Sequence, residues 1–343
     1  LAPAMLIEKT RGLYPAPEAI MAVAVEGASV DFDTALRIES RYLAKIAVGQ
    51  VAKNLITLFF NRTAIRAGAS RPKDVPKWKA TKVGILGAGM MGGGIAWANA
   101  LRGVPCVLKD TTLELAQKGK SYSQKLAAKR NRPQVPALIT PTASAADLKG
   151  CDLIIEAVFE KRDLKAQVTK EAEPMLAPGG IFASNTSTLP ISSLAQASAR
   201  PENFIGLHFF SPVDRMQLVE IIKGKKTSAE TLARAYDYVL QIGKIPIVVN
   251  DARGFYTSRT FGTFVAEGCA MLTEGIPAAV IENAGRLAGM PVGPLAVIDE
   301  TSMSLSVAVM DQAKADLEAE GRKYMPLPGQ EVIQRMVKEF KRP

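Results

Sequence analysis

The stretch VGILGAGMMGGGIA, residues 83–96, constrains this chain more than any other. A short β-rich run, VGILG, leads into glycines at 87, 89 and 92 and then into residues that open a helix. The first glycine, Gly87, permits a tight turn. Gly89 lets backbone N–H groups approach a pyrophosphate, and Gly92 lets the helix pack closely on the strand. The helix N-terminus then presents partial positive charge to phosphate oxygens. The glycine spacing is a weak signal by itself. Placed between a strand and a helix, it predicts a dinucleotide site. The next β-rich run, CVLKD, ends on Asp110. A carboxylate there accepts hydrogen bonds from ribose hydroxyls and repels a 2′-phosphate, which favours NAD over NADP.

The same β texture recurs in DLIIEAV (152–158), IFASN (181–185), FIGLHFF (204–210), QLVEII (217–222) and IPIVV (245–249), with helical stretches between most of them. Strands alternating with helices predict a doubly wound, mostly parallel sheet. The last strands lie close together in sequence, so some antiparallel pairing is expected at that end. Before the sheet, residues 1–68 read as helices. Asp31 or Asp33 is placed to cap one of them and Gly49 to end it, with Leu36, Leu43, Leu55 and Leu58 at helical spacing. Their apolar stripes read as packing between domains. ASRPKDVPKWKATK, 69–82, has the composition of a linker. From Gly254 onward the β texture stops and GFYTSRTFGTFVAEGCAMLTEG, PAAVIENAGRLAG and TSMSLSVAVMDQAKADLEAEG all read as helices. The expected organisation is a helical connector and linker over 1–81, a dinucleotide-binding α/β domain over 82–250 and an all-helical domain over 251–343.

Composition narrows the function classes. The net charge is +10, but the basic residues are dispersed and the densest groups, KRNR and KGKK, are short. Without aromatic interleaving they do not make a nucleic-acid surface, whereas a ligand rich in phosphate suits them. The three cysteines, Cys106, Cys151 and Cys269, have no CxxC spacing, so neither a disulfide framework nor a cysteine zinc site is expected. No apolar run reaches transmembrane length, and membrane association is not evident.

The chain holds a single histidine, His208, in the apolar run GLHFF, and Glu220 follows in the apolar run LVEII. His208 falls at the C-terminal end of a predicted strand, where open parallel sheets bind ligands. The turn SPVD lets the chain return and bring Glu220 beside it. A carboxylate next to an imidazole fixes its tautomer and stabilises the imidazolium, which makes a better general base near neutral pH. The bland alternative is a structural histidine, with Glu220 paired to a lysine such as Lys223. Ser187, in SNTSTLPIS, lies just past another strand end and can donate a hydrogen bond to a substrate oxygen.

GILGAGMMGGGIA, EAVFEKRDLK, SNTSTLPIS, GLHFFSPVDRMQLVEII and GFYTSR, in this order, resemble the L-3-hydroxyacyl-CoA dehydrogenase family from about Lys82 to the end. FSPVD and GFYTSR look closest to the multifunctional α-subunits of fatty-acid oxidation complexes, and residues before Lys82 are similar to the connector between their hydratase and dehydrogenase parts. The resemblance implies a Rossmann-type sheet with NAD as cofactor and an acyl-CoA substrate in fatty-acid β-oxidation. It implies that His208 is the general base, oriented by Glu220, and that Ser187 bonds the 3-oxygen. Gly87, Gly89, Met90, Met91, Gly92, Asp110, Glu160, Lys165 and Asn185 then contact the cofactor. Ser187, Ser211 and Ser258 contact substrate. Single-function members commonly carry Asn at the last two positions, and a shorter hydroxyl there weakens the contact or uses water. A homodimer or a thiolase β-subunit is the implied partner. The bacterial cytoplasm or the mitochondrial matrix is the implied compartment. The chain is expected to be a fragment, with hydratase activity belonging to a longer parent. Two alternatives stand beside this reading: another β-hydroxyacid dehydrogenase, which would rely on a lysine in the helical domain, and a binding or scaffold module without turnover.

Overall fold

The computed structural model describes residues 1–342. Ala64–Arg259 forms one compact unit, and Leu1–Thr63 is grouped with the residues from Thr260 onward. The chain opens with four helices, α1 (Ala2–Thr10), α2 (Pro15–Gly27), α3 (Phe32–Ala47) and α4 (Gln50–Arg66). Proline at the first position of α2 costs no hydrogen bond, because that N–H has no helical partner. Asp31 caps α3 by accepting from the Thr34 amide at 3.0 Å, which settles the choice between Asp31 and Asp33. No side chain of α3 or α4 is buried. Leu43 is 64% exposed and Leu58 53%, so the apolar stripes read as packing faces are open.

The sheet unit contains eight strands: β1 (Val83–Leu86), β2 (Cys106–Lys109), β3 (Ile139–Thr142), β4 (Cys151–Glu156), β5 (Leu176–Ser184), β6 (Phe204–Phe209), β7 (Leu218–Lys223) and β8 (Ile245–Asn250). Their order is β3-β2-β1-β4-β5-β6-β7-β8. Pairing is parallel from β3 through β6, antiparallel between β6 and β7, and parallel between β7 and β8. The order reverses direction at β1 and β4, the switch point where such sheets bind ligands outside their strand ends. The expected antiparallel pairing is therefore confined to one neighbouring pair. β3, with the sequence ITPT, was not expected. Proline cannot donate to a ladder and is confined to edges, and Pro141 sits on the sheet's outermost strand.

Helices α5 (Met90–Leu101), α6 (Leu113–Lys129), α7 (Arg162–Ala172), α8 (Ile191–Leu194) and α9 (Ala229–Gln241) connect the strands. Thr112 and Ser228 cap α6 and α9 through their side-chain oxygens. Alternate residues along each strand feed two apolar clusters. Val83, Ile85, Leu153 and Leu207 pack with Trp97 of α5 and Tyr236 of α9. Ile154, Phe182, Phe204 and Ile222 pack with Ile191 and Leu194 of α8. This period of two decides which side chains face the site.

Residues 69–82 differ from a free linker. The buried Arg71 guanidinium forms a bidentate pair with Asp237 of α9, at 2.7 and 2.8 Å, and its other N–H groups reach the carbonyls of Pro72, Val75 and Pro76 at 2.8 Å. Gln241 bonds both the N–H and the carbonyl of Ala80 at 2.9 Å. The proline-rich segment is thus strapped to the sheet unit. Its composition conceals this because the partners lie on a helix far along the chain.

The C-terminal helices are α10 (Thr257–Thr273), α11 (Ala278–Leu287), α12 (Pro294–Thr301), α13 (Met303–Ala319) and α14 (Gln330–Lys338). Val265 and Cys269 of α10 pack with Ile298, Met303, Val307 and Ile333 from α12, α13 and α14. No single helix among the described residues is long and apolar enough to cross a membrane.

Candidate active site

The glycine loop has the geometry its sequence requires. Gly87 has φ +89°, where a side chain is strained, and a Cβ there would lie 2.7 Å from the Ala157 carbonyl oxygen. A Cβ on Gly92 would lie 1.8 Å from the Gly87 carbonyl oxygen. At Gly89 nothing lies within 4 Å of the same position. The loop is therefore closed against β4 and α5 and open on the side where a pyrophosphate approaches the start of α5. Asp110 follows β2 and accepts from the Ala88 amide at 2.7 Å and from the Thr111 amide at 2.7 Å, which holds its carboxylate beside the loop. Met90, 70% exposed, and the half-buried Met91 begin α5. The dinucleotide fits this cradle: the open Gly89, the helix start and the fixed Asp110 are the groups that would hold NAD.

His208 and Glu220 are paired across the antiparallel ladder. Both lie on the sheet face that carries Phe204 and Ile222, so the two side chains meet. His208 Nδ1 lies 2.6 Å from Glu220 Oε2. Glu220 is fully buried, and its remaining capacity is filled from the start of α10. Oε1 accepts from the Tyr256 and Thr257 amides at 3.2 and 2.9 Å, and Oε2 from the Thr257 hydroxyl at 2.7 Å. Burial pushes the Glu220 carboxyl up, but the bonds from His208 and Thr257 outweigh it and hold it below the usual carboxylate range. Phe210 and Phe255 flank the imidazole, with ring centroids 4.4 and 6.1 Å away. Glu220 is thus joined to His208 and not to Lys223. Thr257, a donor that sequence reasoning passed over, is next to Ser258 in GFYTSR.

A second carboxylate cluster stands behind Ser187. Glu160 Oε1 accepts from the Ser187 and Thr188 amides at 2.9 and 3.2 Å and from the Thr186 hydroxyl. The Ser187 hydroxyl is 3.4 Å from the same oxygen. Lys165 is enclosed, at 2% exposure. Its ammonium bonds Glu156 at 2.9 and 3.0 Å and Glu160 at 3.2 Å. Lys165 therefore reaches the site through Glu160, not through an open surface. Burial dominates at Glu156 and raises its carboxyl above the usual range. Burial also acts on Glu160, but Lys165 and the Thr186–Ser187 donors overcome it and lower its carboxyl. Glu156, in the apolar run LIIEAV, gave the same signal as Glu220 and was not singled out.

The remaining expected residues gather at the same strand ends. Asn185, after β5, accepts from the Phe209 amide at 2.8 Å and so ties β5 to the strand that carries His208. The Ser211 hydroxyl lies 3.4 Å from Met90 Sδ, which places the turn after His208 against the start of α5. The Ser258 hydroxyl donates to the Ser187 carbonyl at 3.3 Å.

In sequence and fold the chain is similar to known 3-hydroxyacyl-CoA dehydrogenases. Residues 82–252 match the family model for the 3-hydroxyacyl-CoA dehydrogenase NAD-binding domain, and residues 254–341 match the model for the C-terminal domain of the same family. The chain is 37% identical over 314 residues to the fatty acid oxidation complex subunit alpha of Shewanella sp. strain ANA-3, covering 89% of this chain and 44% of that relative. It thus spans less than half the length of the curated relatives it matches. The (S)-3-hydroxybutyryl-CoA dehydrogenase of Ralstonia eutropha superposes with a TM-score of 0.68 at 34% identity, over 76% of this chain and 94% of that one. The 3-hydroxybutyryl-CoA dehydrogenase of Escherichia coli K12 gives 0.68 at 28% identity, over 76% and 57%. The glycine cradle, the His208–Glu220 pair and these matches together place the chain in the 3-hydroxyacyl-CoA dehydrogenase family.

Proposed function

We propose that this chain carries the NAD-dependent oxidation of L-3-hydroxyacyl-CoA to 3-ketoacyl-CoA, as the dehydrogenase part of a longer fatty-acid oxidation subunit. The 2.6 Å contact between His208 Nδ1 and Glu220 at the mouth of the sheet carries this reading. With Nδ1–H directed at the carboxylate, Nε2 is the nitrogen left to take a proton. NAD held in the glycine cradle would supply the acceptor for the C3 hydride. Meanwhile Nε2 removes the 3-hydroxyl proton, and the buried Glu220 balances the imidazolium charge that results. Ser187 donates to the 3-oxygen and steadies it as its charge changes. Glu160, backed by Lys165 and Glu156, fixes the turn on which Ser187 sits. Ser211 and Ser258 border the substrate, and Asp110 selects NAD by repelling a 2′-phosphate.

The names of the relatives support the wider setting. Any hydratase step and a thiolase partner belong to the parent subunit, in the bacterial cytoplasm or the mitochondrial matrix. The test is NADH oxidation by this chain with acetoacetyl-CoA, with free acetoacetate and NADPH as controls. Turnover is expected with NADH and the thioester alone. Turnover of the free acid at a comparable rate would instead favour a general β-hydroxyacid dehydrogenase.

A further inference from the structure

We propose that Asp214 and Lys244 form a clamp that seats the turn after His208 against the cofactor-side helices, and that Asp214 is a positioning residue for hydride transfer. The inference rests on the dehydrogenase reading above. Residues 210–217 lie between β6 and β7 and belong to no ladder, and they carry Ser211 directly after the strand that bears the base. A connection of this length is longer than the usual hairpin loop; within it the Arg215 and Met216 amides donate to the Pro212 carbonyl at 3.0 Å, which shapes the turn but does not seat it against the helices.

Three side chains from outside hold it. The Asp214 side chain is only 3% exposed although it sits in a loop. Its Oδ1 accepts from the Tyr122 hydroxyl at 2.9 Å, and its Oδ2 accepts from Arg130. Tyr122 belongs to α6 and Arg130 follows its last turn. The buried Lys244, just before β8, also donates to the carbonyls of Val213 and Met216, the latter at 2.6 Å. Val213 is itself buried and lies close against Gly94 of α5, where a Cβ would come within 2.8 Å of it.

The consequence is mechanical. α5 presents the glycine cradle, and α6 packs on α5. By gripping the turn through Asp214, α6 joins the nucleotide cradle and the base-bearing hairpin into one piece. Apolar side chains would hold a loop at lower desolvation cost. A buried carboxylate with two directed donors instead fixes one register. Asp214 is bonded to Tyr122 and Arg130, not to His208 or Glu220, so it acts through the turn. Reacting atoms displaced by about 1 Å lose on the order of a hundredfold in rate, so the grip should be read in the hydride step.

Tyr122→Phe removes one donor and leaves the fold's apolar contacts intact. Asp214→Asn keeps the shape and removes the charge. Both variants and the wild type are assayed for acetoacetyl-CoA reduction with NADH and with NADH deuterated at the transferred position. The Kd for NADH and the melting temperature are measured alongside. The expected result is a kcat lowered about tenfold in Asp214→Asn and severalfold in Tyr122→Phe, a larger isotope effect on kcat, and a Kd for NADH within about twofold of wild type. If Asp214→Asn does not fold, Tyr122→Phe carries the test. Unchanged kcat and isotope effect in the folded variants, with only the melting temperature lowered, would overturn the proposal alone. A wild type that binds NADH and reduces no thioester would overturn the dehydrogenase reading, and the positioning role with it.

Discussion

Glu220 and Glu156 look alike in the sequence and differ in the structure. Each interrupts an apolar strand, each is buried, and each has a cationic or protonatable partner within 3 Å. Around Glu220 the partners are an imidazole and the amides that open α10, and its carboxyl is held low. Around Glu156 they are Lys165 and the Ser184 hydroxyl, and burial holds its carboxyl high. The first arrangement sets a buried carboxylate against the imidazole proposed as the base. The second encloses an ammonium that stays charged and props a loop. A buried carboxylate is therefore read by its partner's chemistry, not by its own burial.

This contrast predicts different damage. His208→Ala should show the largest effect, a fall in kcat on the order of a thousandfold or more, with NADH binding retained in a fluorescence titration. Glu220→Gln keeps the shape and removes the charge that balances the imidazolium. It should lower kcat about a hundredfold in steady-state assays while the protein stays folded. Lys165→Met leaves two carboxylates facing one another without their cation. It should cost roughly 3–5 kcal/mol of stability in urea titrations, with a smaller kcat loss where the variant is folded. If Lys165→Met and Glu220→Gln instead showed the same balance of stability and rate, the distinction would fail.

The Arg71–Asp237 strap provides a buried ion pair away from the chemistry. Burial raises the Asp237 carboxyl, but Arg71 and the Trp78 amide more than offset it and hold the carboxyl below its usual range. A carboxylate lowered on folding stabilises the native state above its ordinary pKa, and that contribution is lost as pH falls through the folded value. Wild type should therefore lose stability as pH drops below about 4, and Asp237→Asn should flatten that part of the curve. At pH 7 the same substitution should leave kcat unchanged, the smallest effect in the set. A kcat loss matching that of Glu220→Gln would show that the strap reaches the site.

Much of the site was legible because local pattern and strand register agree. The glycine loop declares itself by spacing, and His208 and Glu220 declare themselves as polar residues in apolar runs. A two-strand return places them opposite one another. Other features were hidden for identifiable reasons. β3 does not stand out as a strand because Pro141 and two threonines occupy places where an interior strand would carry aliphatic residues. The resemblance places Lys165 at the cofactor, and nothing in EKRDLK shows that Glu156 takes its ammonium. The segment 69–82 reads as a linker because Arg71 finds Asp237 across 166 positions. Asp214 reads as a turn residue, and only the packing of α6 reveals its donors. Local chemistry survives in the sequence, whereas enclosure by distant partners does not.

The central claim is that Glu220 acts through His208. The most direct test is kcat for acetoacetyl-CoA reduction in His208→Ala, Glu220→Gln and the double variant. If the two residues work as one unit, the double variant is no slower than His208→Ala alone. A double variant slowed by the product of the two single effects, or a His208→Ala protein with wild-type turnover, would contradict the account.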